Sequence, residues 1–221
     1  MGIDLGVKIF AALSDGTMVA PLASFRKLEK KLARTQRSLA RKEKFSSNWK
    51  KQKAVVSRVH SRIASARNDF LHKTSTAIAK NHGMVVLEDL CVKAMTASAS
   101  GTIEHPGRNV KAKSGLNKSI LDQGWFEFRR QLEYKQRWRG GHVLTVPPRN
   151  TSRTCHACGH VSKDNRRSQA RFKCVACGRG AHADINAAKN ILAAGLAVEA
   201  CGGIGAPRLP VKQEPTEAFG P

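Results

Sequence analysis

Four cysteines form two close pairs, Cys155-x-x-Cys158 and Cys174-x-x-Cys177, with fifteen residues between them. Each pair can close a tight knuckle, and the intervening segment is long enough to return as a short hairpin. The four thiolates can therefore converge on one tetrahedral ion, the chemistry of a structural zinc site. Two disulfides, or four unrelated thiols, are the competing readings. A glycine directly after each pair, Gly159 and Gly178, gives the backbone the freedom a ligating turn needs, and the chain has the look of a cytosolic protein, where disulfides are rare. His156, His160 and His182 lie nearby, but four thiolates already complete the set. Cys91 and Cys201 have no base near them in the sequence and read as incidental small residues.

Carboxylates supply the second chemistry. Asp4 sits inside the short apolar run Gly2-Ile3-Asp4-Leu5-Gly6-Val7, where an unpaired charge costs several kcal/mol unless a cation meets it. Its plain alternative is a frayed, solvated N-terminus. Glu88-Asp89 closes the apolar run Met84-Val85-Val86-Leu87; successive strand residues face opposite ways, so only one of the two can share a face with a given neighbour. The pair is either a strand stop or part of a site at a sheet edge. Asp184 opens a helical pattern (Ile185, Ala188, Ile191, Leu192) closed by Gly195, and alone it reads as a helix-capping carboxylate.

The elements that must position these groups follow from the patterning. Ile9 to Leu13, the turn signal Asp15-Gly16, and Thr17 to Ala20 extend the first strand into an antiparallel meander. From Phe25 to Lys80 the period becomes helical, broken near Ser46-Ser47-Asn48. The first helix has its stripe at Leu28, Leu32 and Leu39, and the second at Val56, Val59, Ile63, Ala66, Phe70 and Ala77. Lys27, Lys30, Lys31, Arg34, Arg37, Arg41, Lys42 and Lys44 crowd the first helix, so the hairpin is expected to face phosphates. Residues 91–115 read as a flexible loop able to act as a lid. One helix is expected from about Ser119 to Arg139, with Ile120, Leu121, Phe126, Leu132 and Trp138 as its apolar positions. Gly140-Gly141 ends it, His142 to Val146 forms a last strand, and Pro147-Pro148 stops that strand.

A chain of 221 residues with a net charge of +23 calls for a polyanionic partner, most simply nucleic acid. Aromatics are only 5%, which favours gripping phosphates over stacking many bases. No run is long enough for a membrane span and no cleavable leader follows Met1, so an intracellular, nucleoid-associated protein with no membrane partner is expected. A mixed α/β sheet can place Asp4 and Glu88 on neighbouring strands with the start of the Asp184 helix against them. Three convergent carboxylates beside a basic groove suit two divalent cations about 3.5 to 4 Å apart and hydrolysis of a phosphodiester.

These same runs carry a resemblance. Gly2-Ile3-Asp4-Leu5-Gly6, Val86-Leu87-Glu88-Asp89-Leu90, Thr151-Ser152 through Cys155-x-x-Cys158-Gly159, and Asp184-Ile185-Asn186-Ala187-Ala188 resemble the RuvC-type nuclease half of the TnpB family. These are transposon-encoded proteins labelled transposases and similar to the nuclease lobes of type V CRISPR effectors. The resemblance implies an RNase H-like (RuvC-type) α/β fold, and Asp4, Glu88 and Asp184 as catalytic carboxylates holding magnesium or manganese. It further implies a DNA substrate and, in the full-length family, a guide RNA. It selects Glu88 over Asp89 and leaves Asp89 structural. It spans Gly2 to Leu196; the family's N-terminal half, which recognises guide and target, is not in this sequence and would be a separate partner. With only Met1-Gly2-Ile3 before Asp4, the first strand is expected to seat poorly.

The expected division is a RuvC-like core at 1–150 with a helical hairpin at about 25–82, an inserted zinc ribbon at 151–183, a last core helix at 184–200 and a disordered tail at 201–221. Two functions follow from different classes: a metal-dependent DNA endonuclease domain, or a non-catalytic nucleic-acid-binding remnant of a mobile element.

Overall fold

The computed structural model describes residues 1–201. The expectation for the tail beyond Cys201 lies outside the described residues. Five strands form a mixed sheet: β1 (Gly2–Leu5), β2 (Ala11–Leu13), β3 (Met18–Val19), β4 (Met84–Glu88) and β5 (His142–Val146), in the order β3-β2-β1-β4-β5. The meander pairs antiparallel, Ile3 opposite Leu13 and Ala12 opposite Met18, whereas β4 lies parallel to both β1 and β5. The first strand is central rather than poorly seated. It is paired on both edges, and the Val86 N–H donates to the Met1 carbonyl at 2.8 Å. The meander's turn is held where Asp15-Gly16 places it: Gly16 has φ 102 and the Thr17 N–H donates to Asp15 Oδ1 at 2.8 Å. Ile9 lies just outside β2.

The helical hairpin is α1 (Ser24–Ala40) and α2 (Ser47–Asn81). Ser46 caps α2 by accepting from the Trp49 N–H at 3.2 Å. Leu32, Val59 and Ile63 are buried between the two helices with Phe25, Leu28 and Val56 packed against them. Farther along α2 the sheet replaces α1 as partner. The buried stripe becomes Leu71, Ser75 and Ile78, while Ala66 and Ala77, expected on it, are exposed. A straight helix drifts relative to a fixed stripe, so two partners on different sides select different residues.

After β4 the chain forms α3 (Val92–Met95), α4 (Val110–Gln123) and α5 (Trp125–Trp138). The single helix expected over 119–139 is thus two, broken at Gly124, whose φ of 71 no helix continues through. The presumed loop also contains α3 and the first turns of α4. Ile120 and Leu132 are buried as expected, but Leu121, Phe126 and Trp138 are exposed, and Trp125 and Phe128 take the core positions. One face of the sheet packs Ile3, Val85 and Leu87 against Phe10, Leu71, Phe128 and Leu132. The other packs Val86, Leu144 and Val146 against Ile191 of α6 (Ala183–Ala200). Gly195 does not close α6; it lies inside the helix, at a point where a Cβ would meet Val86 Cγ2 at 2.4 Å.

Candidate functional site: a carboxylate edge beside a four-cysteine ribbon

Parallel pairing aligns Gly2 with Val86 and Ile3 with Leu87, so the next residues along, Asp4 and Glu88, end up side by side. Both face α6. A Cβ on Gly2 would meet the Ala188 carbonyl oxygen at 2.2 Å, and Val86 contacts Gly195; side chains two residues farther on share those faces. One helical turn before Ala188 is Asp184, in the first turn of α6, at the carboxyl-terminal edge of β1 and β4. His182 is the N-cap and no side chain caps the helix, so Asp184 does not serve as its cap.

The three groups act on one another. Burial, reinforced by the charges of Glu88 and Asp184 and eased by Arg166, raises the Asp4 carboxyl to about 8. Burial also raises Glu88, offset by the Thr151 hydroxyl, which donates to Glu88 Oε1 at 2.6 Å. Arg166 approaches Asp184 Oδ1 at 3.6 Å. Carboxylate oxygens held in a partly desolvated cluster are hard ligands suited to magnesium or manganese, and their crowded charge is what a divalent cation relieves. Asp89 points elsewhere, accepting from Arg129 Nη1 at 2.8 Å.

The sulfurs of Cys155, Cys158, Cys174 and Cys177 all lie within 4.8 Å of one another, the one such ligand group of three or more among the described residues. The carboxylates are not drawn to that spacing. All six cysteines are free thiols, so the disulfide alternative does not apply. Gly159 and Gly178 have φ of 72 and 71 in the two knuckles, and β6 (Arg171–Lys173) and β7 (Gly180–His182) pair antiparallel on either side of the second knuckle. The Cys177 N–H donates to Cys174 Sγ at 3.5 Å and lowers that thiol, whereas the neighbouring thiols raise Cys158. None of the neighbouring histidines joins the cluster. The His156 ring pairs with Asn186 Oδ1 at 2.9 Å.

The ribbon is clamped to α6. Asn186 Nδ2 donates to the Thr154 carbonyl at 2.8 Å, and Asn190 Nδ2 donates to the carbonyls of Thr151 and Thr154 at 2.8 and 2.7 Å. This clamp brings Thr151 and Arg166 to the carboxylates. Sequence reasoning gave neither residue a role at the site, because no local pattern says where a ribbon docks.

The chain's class is that of a strongly basic mixed-sheet α/β protein with a carboxylate-lined sheet edge and a docked four-cysteine ribbon. Residues 1–99 match the family model described as probable transposase, OrfB_IS605, and residues 125–191 match the TNB domain of Cas12f1-like proteins. The chain belongs to this TnpB-like, OrfB-type family. It is 60% identical to the "Putative RNA-guided DNA endonuclease InsQ" of Escherichia coli K12, over 98% of this chain and 54% of that protein. It is 37% identical to a "Putative RNA-guided DNA endonuclease" of Streptomyces pristinaespiralis, over 99% of this chain and 52% of that one. The chain therefore spans about half the length of these curated relatives. A solved Cas12f1 in complex with single-guide RNA and target DNA shares the fold, with a TM-score of 0.56 and 23% identity over 86% of this chain and 48% of that one. No helix among the described residues is long and apolar enough to cross a membrane.

Proposed function

We propose that this chain is the nuclease half of a TnpB-type, RNA-guided DNA endonuclease, with an RNase H-like core whose catalytic groups are Asp4, Glu88 and Asp184. The observation that carries this reading is their meeting on one face of one sheet edge from three distant parts of the chain. On this reading residues 1–150 are the core, 151–183 a zinc ribbon and 184–200 the last core helix. The guide RNA and target DNA belong to the complete protein, to which another half contributes their recognition.

Asp4, Glu88 and Asp184 would hold two magnesium or manganese ions, and Cys155, Cys158, Cys174 and Cys177 one zinc. Bound at the carboxylates, the divalent ions would activate the attacking water and neutralise charge on the leaving 3′ oxygen. The protein's own part is positioning. Thr151 fixes one oxygen of Glu88, leaving the other for a ligand, and Arg166 balances Asp184. Asp4 must give up its proton before it can ligate, so cation binding and ionisation are one event.

The test is incubation of the purified chain with labelled single- and double-stranded DNA in magnesium or manganese, beside Asp4→Ala, Glu88→Ala and Asp184→Ala. Metal-dependent cuts that vanish in all three variants are the expected result. Cutting by Asp184→Ala at the parent rate overturns the assignment. Folded, zinc-loaded protein that binds DNA and leaves it whole puts the non-catalytic binding function in its place.

A further inference from the structure

The carboxylates occupy only the α6 side of the sheet edge. On the α5 side, touching the same Glu88, is a cavity of about 250 Å³. Its walls are Leu5, Leu87, Leu90 and Val92, closed by Trp125 and Phe126 where α5 begins. Phe126 is 75% exposed. A lone exposed aromatic on a protein surface is ordinary; one that walls an apolar cavity against a carboxylate site is not. Trp125 is buried, and its indole N–H has no hydrogen-bond partner.

The chemistry of the lining restricts the occupant. Apolar walls do not hold a phosphate or a bare cation, which would lose hydration without replacement. They do suit a flat ring, and the volume lies just below that of ordinary ligand pockets, which run from roughly 300 to 1,000 Å³. There is room for one ring system. Two cations lie in the lining, Arg129 and Lys93. Arg129 is engaged by Asp89 and Glu133, each at 2.8 Å, whereas Lys93 is exposed and makes no ion pair among the described residues. The available charge therefore sits beside the ring site and matches a group that carries a phosphate.

We propose that this cavity receives one nucleobase of the strand being cut, next to the phosphate at Asp4, Glu88 and Asp184, with Phe126 as the stacking face and Lys93 on the adjoining phosphate. The inference rests on the nuclease reading and adds to it how the strand is set in register with the carboxylates. Every base has a stacking face, and the fork of Arg129 is already occupied, so the cavity positions without selecting sequence.

Two experiments test this, one independent of cleavage. In the first, a single-stranded DNA carrying one central abasic residue is cut in magnesium and every cleavage position mapped. Cuts should be depleted at one phosphate beside the abasic residue. Phe126→Ala should lower kcat/KM about tenfold, the effect of one lost stack, and erase that local depletion, while Phe126→Tyr retains both. An abasic imprint equal in Phe126→Ala and the parent chain overturns the proposal.

In the second, Trp49→Phe and Trp138→Phe leave Trp125 as the only indole. Its fluorescence should respond to a thymidine hexanucleotide and not to an abasic deoxyribose-phosphate hexamer of equal charge. Equal responses to the two overturn the base pocket whether or not the chain cuts DNA. A base-dependent response without cleavage keeps the pocket and removes the nuclease reading instead.

Discussion

Asp4 is the residue on which the site's electrostatics turn. Its carboxyl is ordinarily near 3.8, and burial followed by the charges of Glu88 and Asp184 raises it to about 8 in the folded protein. Between those values the native state holds a proton that the unfolded chain has released, so the native state binds more protons than the unfolded one. The contribution to stability is thus fully present below about pH 4 and is lost as pH rises through about 8. Without added divalent cation, thermal stability should fall over that window by on the order of a few kcal/mol, and Asp4→Asn should flatten the slope. Magnesium should also flatten it in the parent chain, since it binds the ionised form. Identical pH slopes for parent and Asp4→Asn would remove Asp4 from the buried cluster.

The last helix does most of the positioning at the scale of elements. It reaches β1 and β4 closely only because Gly2 and Gly195 lack side chains. In an isolated helix Gly195→Ala would stabilise by about 1 kcal/mol. Here the new methyl meets Val86, and overpacking of about 1–3 kcal/mol opposes that gain. A net loss of up to about 2 kcal/mol in urea unfolding is expected; a stabilised variant would mean that α6 stands off the sheet. On the zinc proposal the ribbon would depend on an ion in the same way. Its own core is small, with Cys155, Phe172, Cys174 and Ala183 as the buried cluster, so bonds to the proposed zinc would supply much of its order. Zinc chelation should speed amide exchange over 151–183 and release the first turns of α6, where Asn186 and Asn190 hold the ribbon's carbonyls, while β1 and β4 stay protected. Uniform loss of protection across the sheet would instead make the ribbon part of the core's cooperative unit.

For the whole molecule, charge decides the partner's class. A net +23 spread over exposed helices, with Lys30, Lys31, Arg34, Arg37, Arg41, Lys42 and Lys44 all exposed on or just after α1, favours counterion release on a polyanion. If six to ten phosphates are contacted, affinity for DNA or RNA should fall by roughly 10³ to 10⁵ between 50 and 200 mM salt. Replacing Lys30, Arg34 and Arg37 by Gln should lower the logarithmic slope by up to about 3, and an unchanged slope would place the phosphate path off this hairpin.

Much of the architecture was legible in residue order because its causes are local. Cysteine spacing, the Asp15-Gly16 turn, the break near Ser46-Ser47-Asn48 and the apolar runs of β1, β4 and β5 act within a few residues, and each element forms where those signals put it. The motif order likewise identified the family and marked Asp4, Glu88 and Asp184 as candidates. What only the tertiary structure decided concerns contacts between distant segments. Gly124 divides α4 from α5, Phe126 and Trp138 face outward while Trp125 and Phe128 face the core, and Gly195 lies under Val86 instead of ending a helix. Thr151 and Arg166 reach the carboxylates only because Asn186 and Asn190 clamp the ribbon to α6. Spacing along a chain constrains neighbours within a turn or two; which surfaces meet across a hundred residues is set by packing, and that is where this site is assembled.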